Sequence, residues 1–248
     1  MLKCFKADLH IHTCLSPCGD LTMSPKRIVD RAIANKLDII GICDHNSAEN
    51  IEATQKSASK EKITVLAGME VTTSEEVHLI AFFDNSEHVL VLQKSVYEHL
   101  PSKENDEKLF GEQIIVNEFD EVEGYNKRLL ITATSLTLKE LVNKIHSLGG
   151  LVIASHIDRE TYSIIGQLGF IPDNLELDAL EISPIISRSE AIKKFPQIEN
   201  YPLICASDAH FLQDIGCTST TFLLEKPTID EIKKAFMNQQ GRKIKLEY

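Results

Sequence analysis

Five short apolar runs in this 248-residue chain each end in histidine or carboxylate. They are Ala7-Asp8-Leu9-His10-Ile11-His12, then Ile39-Ile40-Gly41-Ile42-Cys43-Asp44-His45, and Ile63 to Met69 running into Glu70. Leu151 to Ser155 runs into His156, and the last run is Leu203-Ile204-Cys205-Ala206-Ser207-Asp208-Ala209-His210. Short apolar runs of this kind read as parallel strands covered on both faces. A β/α barrel builds its site from side chains at the carboxyl ends of several strands. Ligating groups dispersed along the chain then converge in space, and that convergence is the main argument for an enzyme.

The segments between the runs carry helix punctuation. Ser24 as N-cap and Pro25 at the first helical position open a helix to about Asn35. A polar helix follows Asn46-Ser47 to about Lys60. Thr137 with Glu140 and Thr228 with Glu231 have capping-box spacing; the first of these helices ends at Gly149-Gly150. His78 to Phe83 and residues 179–182 add strands. Residues 84–110 are polar and weakly patterned, while Ile114-Ile115-Val116 and Leu129-Leu130-Ile131 flank Gly124 and predict a hairpin. Roughly seven strands alternating with helices predict an α/β fold with a parallel sheet, closed or nearly closed into a barrel. The expected organisation is a single barrel domain over 1–248 with an elaboration at about 84–135.

Charge narrows the partners. The net charge of −11 opposes the counterion release that drives polyanion binding, so a long duplex is a poor expected partner. A small phosphorylated molecule stays compatible, because bound cations reverse the local field. No apolar stretch approaches the ~20 residues that span a bilayer. The N-terminus has no secretory pattern, so the expected location is cytoplasmic. The six cysteines have no C-x-x-C spacing. Cys14 and Cys18 are the one close pair; they read as plain loop thiols, with metal chelation or a regulatory disulfide as the alternative. No Walker loop, G-x-G-x-x-G or G-x-S-x-G is present, which leaves nucleotide-cradling and serine-hydrolase chemistry without support.

His10 and His12 lie two apart on one strand, so both point to the same face and can share an ion. Asp208-Ala209-His210 repeats that spacing at another strand end. With Asp44-His45, Glu70, His78 and His156, six of the nine histidines fall at these places; His88, His99 and His146 read as surface or helix residues. Asp44 precedes His45 and so points the other way, toward a supporting role. Imidazole with carboxylate and no thiolate suits Zn, Mn or Fe and disfavours a pure Mg or Ca site.

Asp8-Leu9-His10-Ile11-His12-Thr13, Asp44-His45-Asn46, Glu70, His156 and Ser207-Asp208-Ala209-His210 together resemble the motifs of the polymerase and histidinol phosphatase (PHP) metal-dependent phosphoesterases. The resemblance implies a distorted seven-stranded β/α barrel with two or three divalent ions. It implies that His10, His12, Glu70 and Asp208 hold one ion. Glu70 would bridge to a second completed by His78 and His156, and Asp20, His45 and His210 would hold a third. Asp20 here stands behind an intervening Leu15-Ser16-Pro17-Cys18-Gly19. Asp208 and His210 are the candidates to pass a proton to a leaving group. Arg159 and Arg188, on loops beyond strand ends, are candidates to grip phosphate through the guanidinium fork.

The expected activity is metal-dependent hydrolysis of small phosphate esters, with ionised water attacking phosphorus in line. Hydrolysis of small diesters or single strands, and a metal-bound regulatory protein without catalysis, are the alternatives. The oligomeric state is not readable from the sequence.

Overall fold

The computed structural model describes residues 1–245; the last three positions of the expected domain lie outside the described residues. The chain opens with β1 (Lys3–Ile11), α1 (Pro25–Ala34), β2 (Ile39–Ile42), α2 (Ile51–Ala58) and β3 (Thr64–Thr72). Then come β4 (His78–Phe83), α3 (Ser86–His99), a short α4 (Glu107–Phe110), β5 (Ile114–Val116) and β6 (Val122–Tyr125). The next stretch holds α5 (Leu138–Ser147), β7 (Leu151–Ala154), α6 (Ile164–Leu168), β8 (Ala179–Ile182), α7 (Arg188–Lys194) and β9 (Leu203–Cys205). Last are β10 (Thr220–Leu224), α8 (Ile229–Phe236) and β11 (Lys243–Lys245).

The main sheet has nine strands in the order β11-β10-β1-β2-β3-β4-β7-β8-β9. Beyond β9 the chain returns to β1: the His12 amide donates to the Ala209 carbonyl at 3.0 Å, and the Ala209 amide to the His10 carbonyl at 3.1 Å. The strands from β1 to β9 in that order therefore curl into a nearly closed barrel. The two strands beyond the expected seven, β10 and β11, are an antiparallel extension on the other edge of β1.

The sheet is not wholly parallel. β4 runs antiparallel to both β3 and β7. The cause is local, since only residues 73–77 separate β3 from β4, and a parallel crossover needs a dozen or more. Thr73 closes that turn by donating its amide to the Val77 carbonyl at 2.9 Å.

Two apolar cores separate the two faces of the sheet. Ile40, Ile42, Val65, Ala67 and Met69 pack with Ile28 and Val29 of α1, Ile51 of α2, Leu92 of α3 and Leu141 of α5. The alternate strand residues Leu9, Ile39, Leu66, Ile80, Phe82 and Ile153 fill the barrel, and Ile232, Ala235 and Phe236 of α8 pack with them. Phe82 lies across Gly41 and Gly68 of the neighbouring strands, where an added Cβ would stand 2.5 Å from its ring. Those two glycines make room for this buried ring inside the barrel.

Several local expectations change. Residues 86–99 form α3, with Val89, Leu92 and Val96 buried. The pattern is weak because Leu90 and Val91, on the other face, are apolar and exposed. β5 pairs with β6, and not with Leu129-Leu130-Ile131. The latter segment instead gives the Leu130 carbonyl to Asn46 Nδ2 at 2.8 Å. The Thr137–Glu140 capping box forms. The Thr228–Glu231 box does not: Asp84 accepts from the Ile229 amide at 2.9 Å, and Glu231 takes Arg242 Nε at 3.0 Å.

Candidate metal centre

Strand alternation delivers part of the site directly. Leu66, Gly68 and Glu70 share the inner face of β3, and Ile39, Gly41, Cys43 and His45 continue that of β2. Because β4 is reversed, its first residue, His78, lies at the same end of the barrel as the last residues of its neighbours. β1 needs a correction to its pleat. Ala7 and Leu9 face inward and Ile11 outward, and the register against β2 shifts between Asp8 and Ile11. That irregularity brings His10 and His12 to the inside. His156 and Asp208 take left-handed backbone, with φ of 29° and 51°. Such conformations are costly for residues with a Cβ and gather at functional sites.

Glu70 is the centre of the cluster. Its Oε1 lies 3.0 Å from His78 Nδ1, and 3.4 Å from both His10 Nε2 and His156 Nε2. Its Oε2 lies 3.1 Å from His45 Nδ1 and 3.6 Å from His12 Nε2. Asp208 Oδ1 stands 3.3 Å from His10 Nε2 and 3.2 Å from His12 Nε2. All of these side chains are buried or nearly so.

The outward nitrogens of His10 and His12 fix their protons. His10 Nδ1 donates to the Glu181 carboxylate at 2.9 Å, so its Nε2 carries the lone pair in the neutral ring. Ser16 Oγ donates to Asp44 at 2.7 Å and therefore accepts from His12 Nδ1 at 2.9 Å. His12 Nε2 is thus also a lone pair, only 3.1 Å from His10 Nε2. His45 Nδ1, His78 Nδ1, Glu70 Oε1 and Asp208 Oδ1 are buried without an aligned hydrogen bond among the described residues. Lone pairs crowded at hydrogen-bond distance but out of line are what divalent cations satisfy, so the donor set fits metal ions.

The electrostatics follow from the crowding. Burial opposes ionisation of Glu70, yet His78 and His10 hold its carboxyl well below the usual range. Burial also works against the Asp208 carboxylate, but His10 and His12 outweigh it and hold the carboxyl well below the usual range. Burial, reinforced by His210 and His45, keeps His12 well below the usual imidazole value.

The other expected residues divide. His210 reaches the cluster, donating from Nδ1 to the Asp208 carbonyl at 2.8 Å. Arg159 is there as well, with Nη1 2.6 Å from Asp208 Oδ2. With Ile131, Thr161 and Tyr162 it lines a cleft of about 210 Å³ over the cluster. Asp20 is not in the cluster: its carboxylate accepts from the Thr22 amide at 2.8 Å and from the Thr22 hydroxyl at 2.6 Å. Arg188 lines a different cavity, beside Leu203 and Thr220, and not the cleft. Asp44 supports, as read from its parity, by accepting from the Thr13 amide and from Ser16 at 2.7 Å each.

One residue went unread in the sequence, and a second, read there as a loop thiol with chelation as the alternative, comes to the cluster. Glu181 is a fully buried carboxylate inside the apolar run Ala179 to Ile182, a position that only a partner can satisfy. Cys18 places its sulfur 3.0 Å from His210 Nε2. Burial opposes ionisation of this thiol, but His45 and His210 bring it down to about 6.

Fold and side chains together define a metal-binding β/α barrel. The chain belongs to the PHP domain family, whose model matches residues 8–171. A 5'-3' exoribonuclease of Haemophilus influenzae is 31% identical over 85 residues, which are 33% of this chain and 30% of that protein. The lesion-specific endonuclease of Pyrococcus furiosus superposes with a TM-score of 0.73 at 20% identity, covering 98% of this chain and 58% of that one. An Endonuclease Q complexed with a 27-mer duplex, an abasic lesion at its active site, gives 0.71 at 19% identity, covering 98% of this chain and 58% of that one. The chain thus spans less than two thirds of each of these relatives. No helix among the described residues is long and apolar enough to cross a membrane.

Proposed function

We propose that this protein is a metal-dependent phosphoesterase whose substrates are small phosphate esters. The observation that carries this reading is Glu70, met by five imidazoles at 3.0–3.6 Å. His10, His12, Glu70 and Asp208 would hold one divalent ion, Glu70, His78 and His156 a second, with His45 and His210 at a third. Mn, Zn or Fe matches these donors. Such ions acidify water near neutral pH and offset charge on phosphoryl and leaving oxygens.

The chain's own groups have separate tasks. Arg159 is anchored on Asp208 while 39% of its side chain stays exposed, so its guanidinium can orient a phosphoryl group in the cleft. Asp208, ionised and pinned, is a poor acid. His210 can carry a proton only while its Nε2 holds no ion, since its Nδ1 is committed to the Asp208 carbonyl. Exposed, unbridged thiols at Cys4 and Cys217 favour a reducing, cytoplasmic setting. We read residues 84–135 as an elaboration of the barrel, since α3 buries Val89, Leu92 and Val96 in its outer core.

The test is phosphate release by Mn- or Zn-loaded protein from a panel of small phosphomonoesters. His10→Ala should abolish release, and Arg159→Ala should lower kcat/KM by about 10²–10³-fold. Unchanged kinetics in Arg159→Ala would remove that residue from the site's chemistry. A second reading, a nuclease, is favoured by the exoribonuclease and endonuclease likenesses. Cleavage of a single strand or of an abasic duplex that falls steeply with salt, without monoester hydrolysis, would replace the first reading with it.

A further inference from the structure

The family resemblance gives the outermost cation site an aspartate, and Asp20 is spent on Thr22 instead. What stands in the site is sulfur. Ligand atoms of His12, Cys18, His45 and His210 all lie within 4.8 Å of one another. His210 Nδ1 donates to the Asp208 carbonyl, which can only accept, so the Nε2 facing Cys18 Sγ is a lone pair in the neutral ring. His12 presents Nε2 in the same way, because its Nδ1 is committed to Ser16. A thiol donating to His210 would explain the 3.0 Å contact, but it would leave the buried His45 Nδ1 unsatisfied.

We propose that the Cys18 thiolate, together with His45 and His210, completes the third cation site in place of the Asp20 carboxylate. This rests on the metal-centre reading above and deepens it. The thiol loses its proton to solvent as the ion binds. A thiolate is a soft ligand, so this site prefers Zn, Fe or Co over Mn or Mg, whereas the buried carboxylate sites tolerate Mn. The loop Ser16-Pro17-Cys18-Gly19 holds the sulfur in place: the Gly19 amide donates to the Ser16 carbonyl at 2.9 Å, and the Asp20 amide to the His210 carbonyl at 2.9 Å. The second of these bonds ties the loop directly to a ligand of the same site.

Cobalt(II) titration of the chelator-treated full chain separates the outcomes. Ligand-field bands report ions on imidazole and carboxylate, while a near-ultraviolet sulfur-to-cobalt charge-transfer band reports thiolate ligation. The charge-transfer band is expected in the wild type and in a Cys4→Ser, Cys217→Ser double variant, and it should vanish in Cys18→Ser with one equivalent of bound cobalt lost. Cys18→Asp should regain that equivalent without the band, and should bind Mn there more tightly than the wild type does. Ligand-field bands without charge transfer in the wild type would overturn the Cys18 assignment and leave the metal centre standing. Charge transfer that persists in Cys18→Ser would overturn it equally. No cobalt uptake at all would sink both.

Discussion

His10 and His12 are each held by a neighbour outside the cluster. Glu181 fixes the tautomer of His10 from inside the barrel. The chain Asp44 to Ser16 to His12 does the same from the loop after β1. Such outer contacts orient the imidazole and raise its basicity, and their loss typically costs 10–100-fold in metal affinity. We expect Glu181→Gln and Ser16→Ala each to weaken binding of one ion by about that factor. Competition against a chromophoric chelator measures it. An unchanged affinity in both variants would remove these contacts from the site's design. The Glu181 substitution is the sharper of the two, because Gln can accept from His10 but carries no charge to stabilise a bound cation.

At the scale of elements, the C-terminal end shows tertiary context overriding a local motif. Thr228 and Glu231 have the spacing of a capping box, yet Asp84 at the end of β4 takes the cap and Glu231 turns to Arg242. Arg242 precedes β11, so this ion pair ties the last strand to α8. The Arg242 bond holds the Glu231 carboxyl down at about 2, against its usual 4.5. A depressed carboxylate contributes stability above its unfolded pKa and loses it as pH falls through the folded one. Glu231→Gln should therefore lower the melting temperature by about 2–6 °C at neutral pH. The gap to wild type should hold down to about pH 4.5 and close toward pH 2. Melting curves by circular dichroism over that range decide it; a gap that grows on acidification would contradict the sign.

For the whole molecule, barrel closure and metal binding are one problem. The segment that closes the barrel against β1 carries Asp208 and His210, and Asp8 clamps it by accepting from the Ser207 amide at 2.9 Å and the Gly216 amide at 2.8 Å. Ions shared between His10, His12 and Asp208 would stitch the same seam. A ligand that binds only the folded state adds about 2.7 kcal/mol at a hundredfold excess over Kd. Saturating metal should thus raise the melting temperature of chelated protein by about 5–10 °C. In His10→Ala that rise should shrink to less than half, and an equal rise in the variant would place the bound ion elsewhere.

The ordered run of strand-end ligands determined what the sequence could determine: a metal-binding barrel, and the inward positions of Glu70 and His45, which follow from a period of two. Chemistry and parity are local properties, so they survive translation from sequence to structure. His10 and His12 reach the site through a break in the β1 register, and His78 through the reversal of β4, neither of which a period reveals. That Cys18 and not Asp20 stands beside His210 depended on how a loop packs, and Glu181 became legible only once a ring stood beside it. Arg159 and Arg188 look alike in sequence, and only the loops' paths send one to the cleft and the other to a separate cavity. Those outcomes are decided by distances between segments far apart in the chain, and only the closed barrel sets them.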